Sequence, residues 1–462
     1  MPPDRTISGF SYIFAAFLLA MFHGPACVHG EEPRSNQSPA RGQEFTWDDA
    51  IRTAIERHPQ IRIAEQDVAA SEAVVKQIES ANYPQITGLL SNSAGNTRVL
   101  ANLGISGSLP KPTNYLATPG LRVDVLITDF GHTAHKILAQ KSLADSARKS
   151  VLASKALTIL NVQQAYLTSL KQQRLVQVAR EMLVERELIR RQTEIFYRRE
   201  LRSKLDLDFA SVEANRAELA LIKAENDLQS AYAALGNAIG QQGPARPSSA
   251  SGPDSKQPIA VIDSLLQNAL EQRPELLGSK DRQQAATQAV KAAKALRFGS
   301  VSAIGTLGYT WWGREERPSG KDVSNPGAQQ GWYGLGGTSA VPLYTGGRIT
   351  GQIEEAEARQ GEADADTQSI ANQIVLQVAQ AYFSRQTAEQ QIVVAQEKVS
   401  YAREALTLAR ERYKAGLGSI LDVVTATADL LSAEVGLTQS QYELQASEAA
   451  LAYATGAAYD RY

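Results

Sequence analysis

The stretch YKAGLGSILDVV, Tyr413–Val424, separates two long runs rich in Ala, Gln and Glu that are predicted to be helices. Gly416 and Gly418 permit a chain reversal, because glycine adopts positive φ without a steric penalty. Ser419 and Asp422 form a Ser-x-x-acid pair, which is typical of the first turn of a helix. The stretch therefore predicts a tight turn between two antiparallel helices.

The same pattern occurs earlier in the chain, in YRRELRSKLDLD (Tyr197–Asp208). A shift of 216 residues aligns the tyrosine, the serine and the Leu-Asp pair of the two stretches, and it holds without a gap for over 100 residues. Near the start of each half, TWDDAIRTAIERHPQI (Thr46–Ile61) parallels VIDSLLQNALEQRPEL (Val261–Leu276) at a shift of 215. The chain is therefore predicted to be an internal repeat.

The repeat and the composition together predict the domain organisation of the 462-residue chain. A stretch rich in Pro, Gly and Ser between the two halves lacks the apolar content to pack a core. The predicted segments are a signal peptide (1–30), a flexible N-terminal arm (31–45), a first repeat (46–240), a linker (241–258), a second repeat (259–456) and a C-terminal tail (457–462).

The first thirty residues have the pattern of an export signal, in which Arg5 precedes the apolar run FSYIFAAFLLAMF (Phe10–Phe22). Cleavage after Gly30 or after Ala26 fits the small residues that follow. The second site would leave Cys27 first and open to lipidation, although GPAC lacks the leucine expected three residues before the cysteine. Since Cys27 is the only cysteine, no internal disulfide is expected.

Each half is predicted to run helix, strand, strand, long helix, shorter helix, with strands at about 84–96, 118–128, 300–312 and 331–343. Apolar and polar residues alternate in these segments, and about 10 residues suffice for a tilted strand to cross a bilayer. Aromatic residues near the strand ends fit an interfacial belt; a soluble hairpin with aromatic edges is the alternative. These aromatic residues are Tyr309, Trp311, Trp312, Trp332 and Tyr333.

The long helices are predicted at Thr133–Tyr197 and Ile349–Tyr413, each roughly 100 Å long at 1.5 Å per residue. The shorter helices, the first of which runs from about Thr46 to Ala81 with a proline near a break at its first turn, are about half as long, so two of them match one long helix. This arithmetic favours a wall of paired helices. In the last helix a 4-3 spacing predicts a packing seam at Val424, Ala428, Leu431, Val435, Tyr442, Ala446 and Ala449.

Four strands cannot close a membrane barrel, since the smallest barrels have about 8. Open sheet edges in lipid would leave backbone groups without hydrogen bonds. The chain is therefore expected to form an oligomer, and strand count alone leaves a dimer and a trimer open.

The repeat, the two strands per half, PLYTGGR before the second long helix and YKAGLGSILDVVTATADLLSAE at its end resemble the TolC-type outer-membrane factor (outer membrane efflux protein) family. The resemblance covers nearly all of Thr46 to Gly456. It implies a homotrimer that combines a transmembrane β-barrel of twelve strands with a periplasmic α-helical barrel of twelve staves. It also implies an outer-membrane exit duct for an efflux pump or type I secretion system. Such a duct meets a periplasmic adaptor and, through it, an inner-membrane pump.

The resemblance also assigns roles to the turn residues. Tyr413 and Asp206 match a hydroxyl–carboxylate link that holds the gate closed, and Asp422 matches an acidic ring that would attract cations. Ala415, Gly416, Leu417 and Ser419 match the tip that adaptors recognise. On the simpler interpretation, both aspartates only cap their helices. The sequence departs from the family at Gly418, where some members carry an arginine that ties the gate, and at Thr425, where a second acidic residue can occur.

Other functions are less well supported. A net charge of −2 argues against nucleic acid as a partner. His132 and His135 could share a helix face, but a third metal ligand is missing in sequence range. No catalytic arrangement and no cofactor is predicted, so an enzyme is not expected. A soluble periplasmic coiled-coil adaptor or scaffold is the remaining alternative to the duct.

Overall fold

The computed structural model describes residues 44–95, 114–248, 261–314 and 328–457. The predictions for the signal peptide, for Cys27, for most of the arm, for residues 249–258 of the linker and for residues 458–462 of the tail lie outside these ranges.

The described residues form eight α-helices and six strands. In chain order these are β1 (Glu44–Phe45), α1 (Trp47–Arg57), α2 (Pro59–Glu79), β2 (Gln85–Gly95), β3 (Asn114–Thr128), α3 (His132–Arg198), α4 (Lys204–Ile239), β4 (Arg246–Pro247), α5 (Ile262–Gln272), α6 (Pro274–Ala295), β5 (Ser300–Arg314), β6 (Ala328–Ala340), α7 (Arg348–Lys414) and α8 (Ile420–Ala454).

The two long helices begin and end within one residue of their predicted bounds. α3 and α7 each have 67 residues, which corresponds to about 100 Å. Each is followed by a returning helix, α4 with 36 residues and α8 with 35. Within the described ranges, none of the helices has the length and apolar content to cross a membrane.

The predicted helix from Thr46 to Ala81 is two helices, since α1 ends at Arg57 and α2 begins at Pro59, the proline at which the sequence predicts a break. His58 between them is extended, with φ −65° and ψ 128°, since a proline disfavours the helical conformation of the residue before it. Arg273, which precedes Pro274 in the second half, has the same conformation. The break is therefore a property of both repeats.

The four predicted strands form one antiparallel sheet in the order β2-β3-β5-β6. The central pair β3–β5 joins the two repeats. β3 begins at Asn114, four residues before its predicted start. β6 covers 328–340 instead of 331–343, because Ala340 pairs with Ser300 at the start of β5 and the ladder ends there.

The sheet has an apolar face and a polar face, as the alternation predicts. Cross-strand register places on the apolar face Ile86, Leu121, Val123, Val125, Leu307, Tyr309, Trp311, Tyr333 and Leu335. The opposite face carries Thr87, Thr306 and the ion pair Arg122–Asp124, whose charged atoms are 2.8 Å apart. Trp332 pairs with Gly308 on this polar face, opposite to Tyr333, so the two residues do not face lipid together; the interfacial belt itself stays a prediction. The Trp312 side chain lies outside the described part.

The ends of the predicted arm and linker are packed, contrary to expectation. β1 and β4 pair in parallel as a second, two-stranded sheet that the sequence did not indicate. Phe45 is only 5% exposed and shares a core cluster with Ala245 and Tyr166. The Tyr166 hydroxyl lies within hydrogen-bond distance of the carbonyls of Phe45 (3.2 Å) and Ser248 (3.0 Å). One buried tyrosine therefore fixes both segments to α3.

The seam of α8 differs from its prediction along most of the helix. In its first half the buried residues include Val423, Thr427 and Leu430, one position before the predicted Val424, Ala428 and Leu431, whereas Ala449 further along is buried as predicted. The tip-side core also contains Ala433. It is completed by Val399 and Leu406 of α7 and by Ile189 of α3. This core lies directly behind the turns that join the helices.

Candidate functional site: the two helical hairpin tips

The two predicted turns have the same backbone geometry. In the first tip (Tyr197–Asp208), the amides of Glu200 and Leu201 donate to the carbonyls of Tyr197 and Phe196, both at 2.9 Å. In the second tip (Tyr413–Val424), Gly416 and Leu417 donate to Tyr413 and Arg412 at 3.1 and 2.9 Å. This paired pattern is the Schellman motif, which requires a left-handed residue after the helix. The prediction of two helical hairpins is thereby confirmed.

The left-handed position is filled differently in the two tips. Gly416 has φ 78°, which glycine adopts freely, whereas Glu200 has φ 58°. A residue with a Cβ atom pays roughly 1–2 kcal/mol for this conformation. The first tip is therefore the more strained of the two.

The helices that leave the tips are capped by the predicted serines. Ser419 accepts from the Asp422 amide at 3.2 Å, and the Asp422 carboxylate accepts from the Ser419 amide at 2.9 Å, which completes a capping box. At the first tip Ser203 accepts from the Asp206 amide at 3.3 Å. Asp422 is thus a cap within its own chain, and its position in a channel stays a prediction.

Both tips present leucine side chains to solvent. Leu417 is 74% exposed, and Leu201, its counterpart at the 216-residue shift, is 64% exposed. Leu421 and Leu205 form a second exposed pair one turn into the following helices. Sequence reasoning identified Leu417 and missed Leu201, although the repeat aligns them.

Arg202 connects the two tips, a contact that the sequence analysis also missed. Its guanidinium carbon lies 4.5 Å from the centroid of the Tyr413 ring, and its Nη2 donates to the Tyr413 carbonyl at 3.2 Å. At Gly418 of the second tip, an added Cβ would lie 3.3–3.4 Å from atoms of Arg412 and Tyr413. The second tip has a glycine at this position, and the arginine that contacts Tyr413 belongs to the first tip.

The buried Tyr413 hydroxyl makes no well-aligned hydrogen bond within the described part of the chain, although the Thr193 hydroxyl lies next to it. Burial raises the pKa of Tyr413. Arg202 and the nearby Thr193 hydroxyl act against this rise, whereas Asp206 adds to it. Thr193 donates its own proton to the Ile189 carbonyl at 2.9 Å. The charge of Asp206 thus acts on the Tyr413 hydroxyl, and the hydroxyl–carboxylate link between them stays a prediction.

A buried arginine joins both hairpins behind the tips. Arg186 of α3 donates to the Val424 carbonyl of α8 at 3.2 Å and lies 3.7 Å from the Glu213 carboxylate of α4. Burial lowers the pKa of Arg186, while Glu213 opposes this effect. Glu185, the residue before Arg186 on α3, pairs with Arg410 of α7. Charged side chains thus join α3 to the three other helices at this level.

The sequence profile of the outer membrane efflux protein family matches this chain twice, at residues 50–241 and 265–457. The chain belongs to the outer membrane efflux protein family. It is accordingly an efflux channel of the outer membrane, and this family consists of channels, not enzymes.

Several proteins are similar to this family member over most of their length. The outer membrane efflux protein BepC of Brucella suis is 24% identical over 86% of this chain and 80% of its own. The cation efflux system protein CusC of Escherichia coli O157:H7 is 23% identical over 92% and 90%. The crystal structure of VceC from Vibrio cholerae superposes with a TM-score of 0.74 at 23% identity, over 89% of this chain and 96% of VceC. The last similarity supports the fold.

The histidines considered as metal ligands are engaged in packing contacts in this efflux protein. His132 Nδ1 lies 2.7 Å from the Ala292 carbonyl, and His135 Nδ1 lies 2.9 Å from the Gln288 side chain, both on α6. Among the described residues, no group of three or more His, Cys, Asp or Glu side chains could hold a metal ion.

Proposed function

We propose that the chain forms a homotrimeric exit duct for a tripartite efflux pump or a type I secretion system. The observation that carries the proposal is the four-stranded sheet, which exposes an apolar face and leaves β2 and β6 as its edges. In lipid these edges need partners. Three copies supply twelve strands, enough to leave a passage, whereas eight strands enclose little more than side chains.

In the proposed trimer the long helices extend into the periplasm and the tips form the inner end of the duct. The gate consists of Tyr413, Asp206 and Asp422. Two features support this role: the buried Tyr413 hydroxyl makes no well-aligned hydrogen bond within the described residues, and Asp206 lies close enough to affect its pKa. In the closed gate the two groups meet, and Arg202 covers the Tyr413 ring.

A periplasmic adaptor docks on the tips, through Ala415, Gly416, Leu417 and Ser419. The high exposure of Leu417 supports this assignment, and that of Leu201 extends it to the first tip. A photo-crosslinking residue at Ala415 is expected to capture a periplasmic protein in cells, whereas the same residue at exposed Arg359, near the start of α7 and far from the tips, is not. Through the adaptor the duct meets an inner-membrane pump, and outer-membrane lipid surrounds the apolar face of its sheet.

Single-channel conductance in a planar bilayer tests the proposal. The purified oligomer is expected to give a small cation-selective conductance that changes in Asp422→Asn. Asp208→Asn, a matched change at an exposed position of the first tip, serves as control. A conducting protein whose selectivity is the same in Asp422→Asn would show that Asp422 is only a helix cap. A folded protein that never conducts and is recovered in the soluble periplasmic fraction would favour the scaffold.

A further inference from the structure

Trp332 occupies an unusual position in the sheet. Cross-strand pairing aligns Leu89, Gly120, Gly308 and Trp332 in one row across all four strands. A Cβ atom added at Gly308 would lie 2.6 Å from Cζ2 of the indole, and one added at Gly120 would lie 3.1 Å from Cη2. The indole therefore covers Gly308 on β5 and reaches Gly120 on β3, two positions where the strands have no side chain.

The row belongs to the polar face of the sheet. The next row on this face contains Thr87, Arg122, Thr306 and Gly334. Tyr333, one residue further along β6, points to the opposite face and is 92% exposed. Two adjacent aromatic residues thus lie on opposite faces of the sheet. A side chain that faces lipid is expected on the face of Leu121, Leu307 and Tyr333, and Trp332 is not on that face.

We propose that Trp332 lines the lumen of the exit barrel, where three copies of the indole narrow the passage at one level. The inference rests on the trimeric duct proposed above, because only closure of the sheet turns its polar face into a lumen. The glycines at 120 and 308 allow the ring to lie against the wall. The indole edge then joins Leu89 and Ile304 as an apolar part of a lumenal surface that also carries hydroxyl groups and the ion pair Arg122–Asp124.

Fluorescence quenching in lipid vesicles distinguishes the two faces. A variant that keeps Trp332 alone carries Trp47→Phe, Trp311→Phe and Trp312→Phe. A matched variant keeps Trp311 alone, since Trp311 lies on the apolar face of β5. Emission from Trp332 is expected to fall with acrylamide in the aqueous phase and to be unaffected by dibrominated acyl chains. Trp311 is expected to show the opposite pattern.

The possible failures are distinguishable. Quenching of Trp332 by the brominated lipid would overturn the inference, and so would protection of Trp332 from both quenchers. If brominated lipid quenches neither tryptophan, the sheet is not in the membrane and the duct itself is wrong. Trp47 packs edge-on against Tyr166 at 5.3 Å, so its replacement could impair assembly. In that case the difference in quenching between the wild type and the single variant Trp332→Phe gives the same information.

Discussion

Arg202 of the first tip covers the aromatic ring of Tyr413 in the second, at 4.5 Å from guanidinium carbon to ring centroid. The same side chain donates to the Tyr413 carbonyl. Some family members carry an arginine at the position of Gly418. In this chain the arginine that ties the two hairpins together belongs to the opposite turn.

Removing this tie is expected to loosen the tips. Arg202→Ala loses a cation–π contact and a hydrogen bond to a carbonyl, together about 1–2 kcal/mol. In single-channel recordings we expect more frequent or larger openings than in the wild type. Arg202→Lys keeps the charge without the planar stacking group and should fall between the two. Arg199→Ala, at an exposed position of the same tip, is the control, and equal behaviour of all four proteins would contradict the proposed tie.

Replacing the strained residue of the first tip is expected to stabilise the protein. Glu200→Gly relieves a left-handed conformation that costs a non-glycine residue roughly 1 kcal/mol, and the midpoint of thermal unfolding should rise. Gly416→Ala places the same strain in the second tip and should lower the midpoint. A decrease in both variants would indicate that the Glu200 side chain makes a stabilising contact in the assembled protein.

Acid is expected to weaken the contact between α6 and α8. Glu275 accepts from Arg273 at 2.8 Å and from the Tyr453 hydroxyl at 3.2 Å. Burial acts to raise the Glu275 pKa, but these hydrogen bonds outweigh it and the pKa falls below its ordinary value of 4.5. The carboxylate therefore contributes stability above pH 4.5 that is lost as the pH falls through the lowered pKa.

The variant Glu275→Gln tests the direction of this pH dependence. At neutral pH its free energy of unfolding should be lower than that of the wild type by about 1–2 kcal/mol, and the difference should shrink on acidification below pH 4.5. Glu271→Gln on the preceding helix, at an exposed position, should show no such convergence. A difference that stays constant with pH would mean that the carboxylate charge is not what stabilises this contact.

The space beneath the Trp332 indole yields a fourth prediction. A methyl group at Gly308 would come within 2.6 Å of the indole and 2.5 Å of the Pro119 carbonyl, so Gly308→Ala should destabilise the assembled sheet by about 1–3 kcal/mol. Adding Trp332→Ala should recover part of that loss. Gly336→Ala, where nothing lies within 4 Å of an added Cβ, is the control. Additive effects of Gly308→Ala and Trp332→Ala in thermal unfolding would contradict the packing contact.

The local features of the tips could be predicted from sequence because they depend on short-range chemistry. Ser419 and Asp422 form the expected capping box, and Gly416 takes the expected left-handed conformation. Features that depend on distant partners could not. The face on which Trp332 lies follows from its pairing with Gly308, and a change of one residue in strand register reverses it.

The same limit applies to Arg202 and to Phe45. Arg202 meets Tyr413 across 211 positions of the chain, and the Phe45 carbonyl faces a tyrosine hydroxyl 121 positions away. Neither contact has a periodic signature in the sequence. The 216-residue repeat could have indicated Leu201 as the counterpart of Leu417, but that inference requires the two turns to have equal geometry, which only the coordinates show.

The pairing of β3 with β5 has a consequence for assembly. Inside one chain it joins two similar half-units through adjacent strands, and in the proposed trimer β6 of one copy must join β2 of the next in the same way. The ring thus contains six half-units and six junctions between them. Three junctions lie within a chain, and three form when separate chains associate. Because the meeting edges are unlike, each junction propagates in one direction, and the proposed ring closes when β6 of the third copy meets β2 of the first. Because the half-unit is duplicated within one polypeptide, only three chains have to associate. Separate half-units would require the association of six.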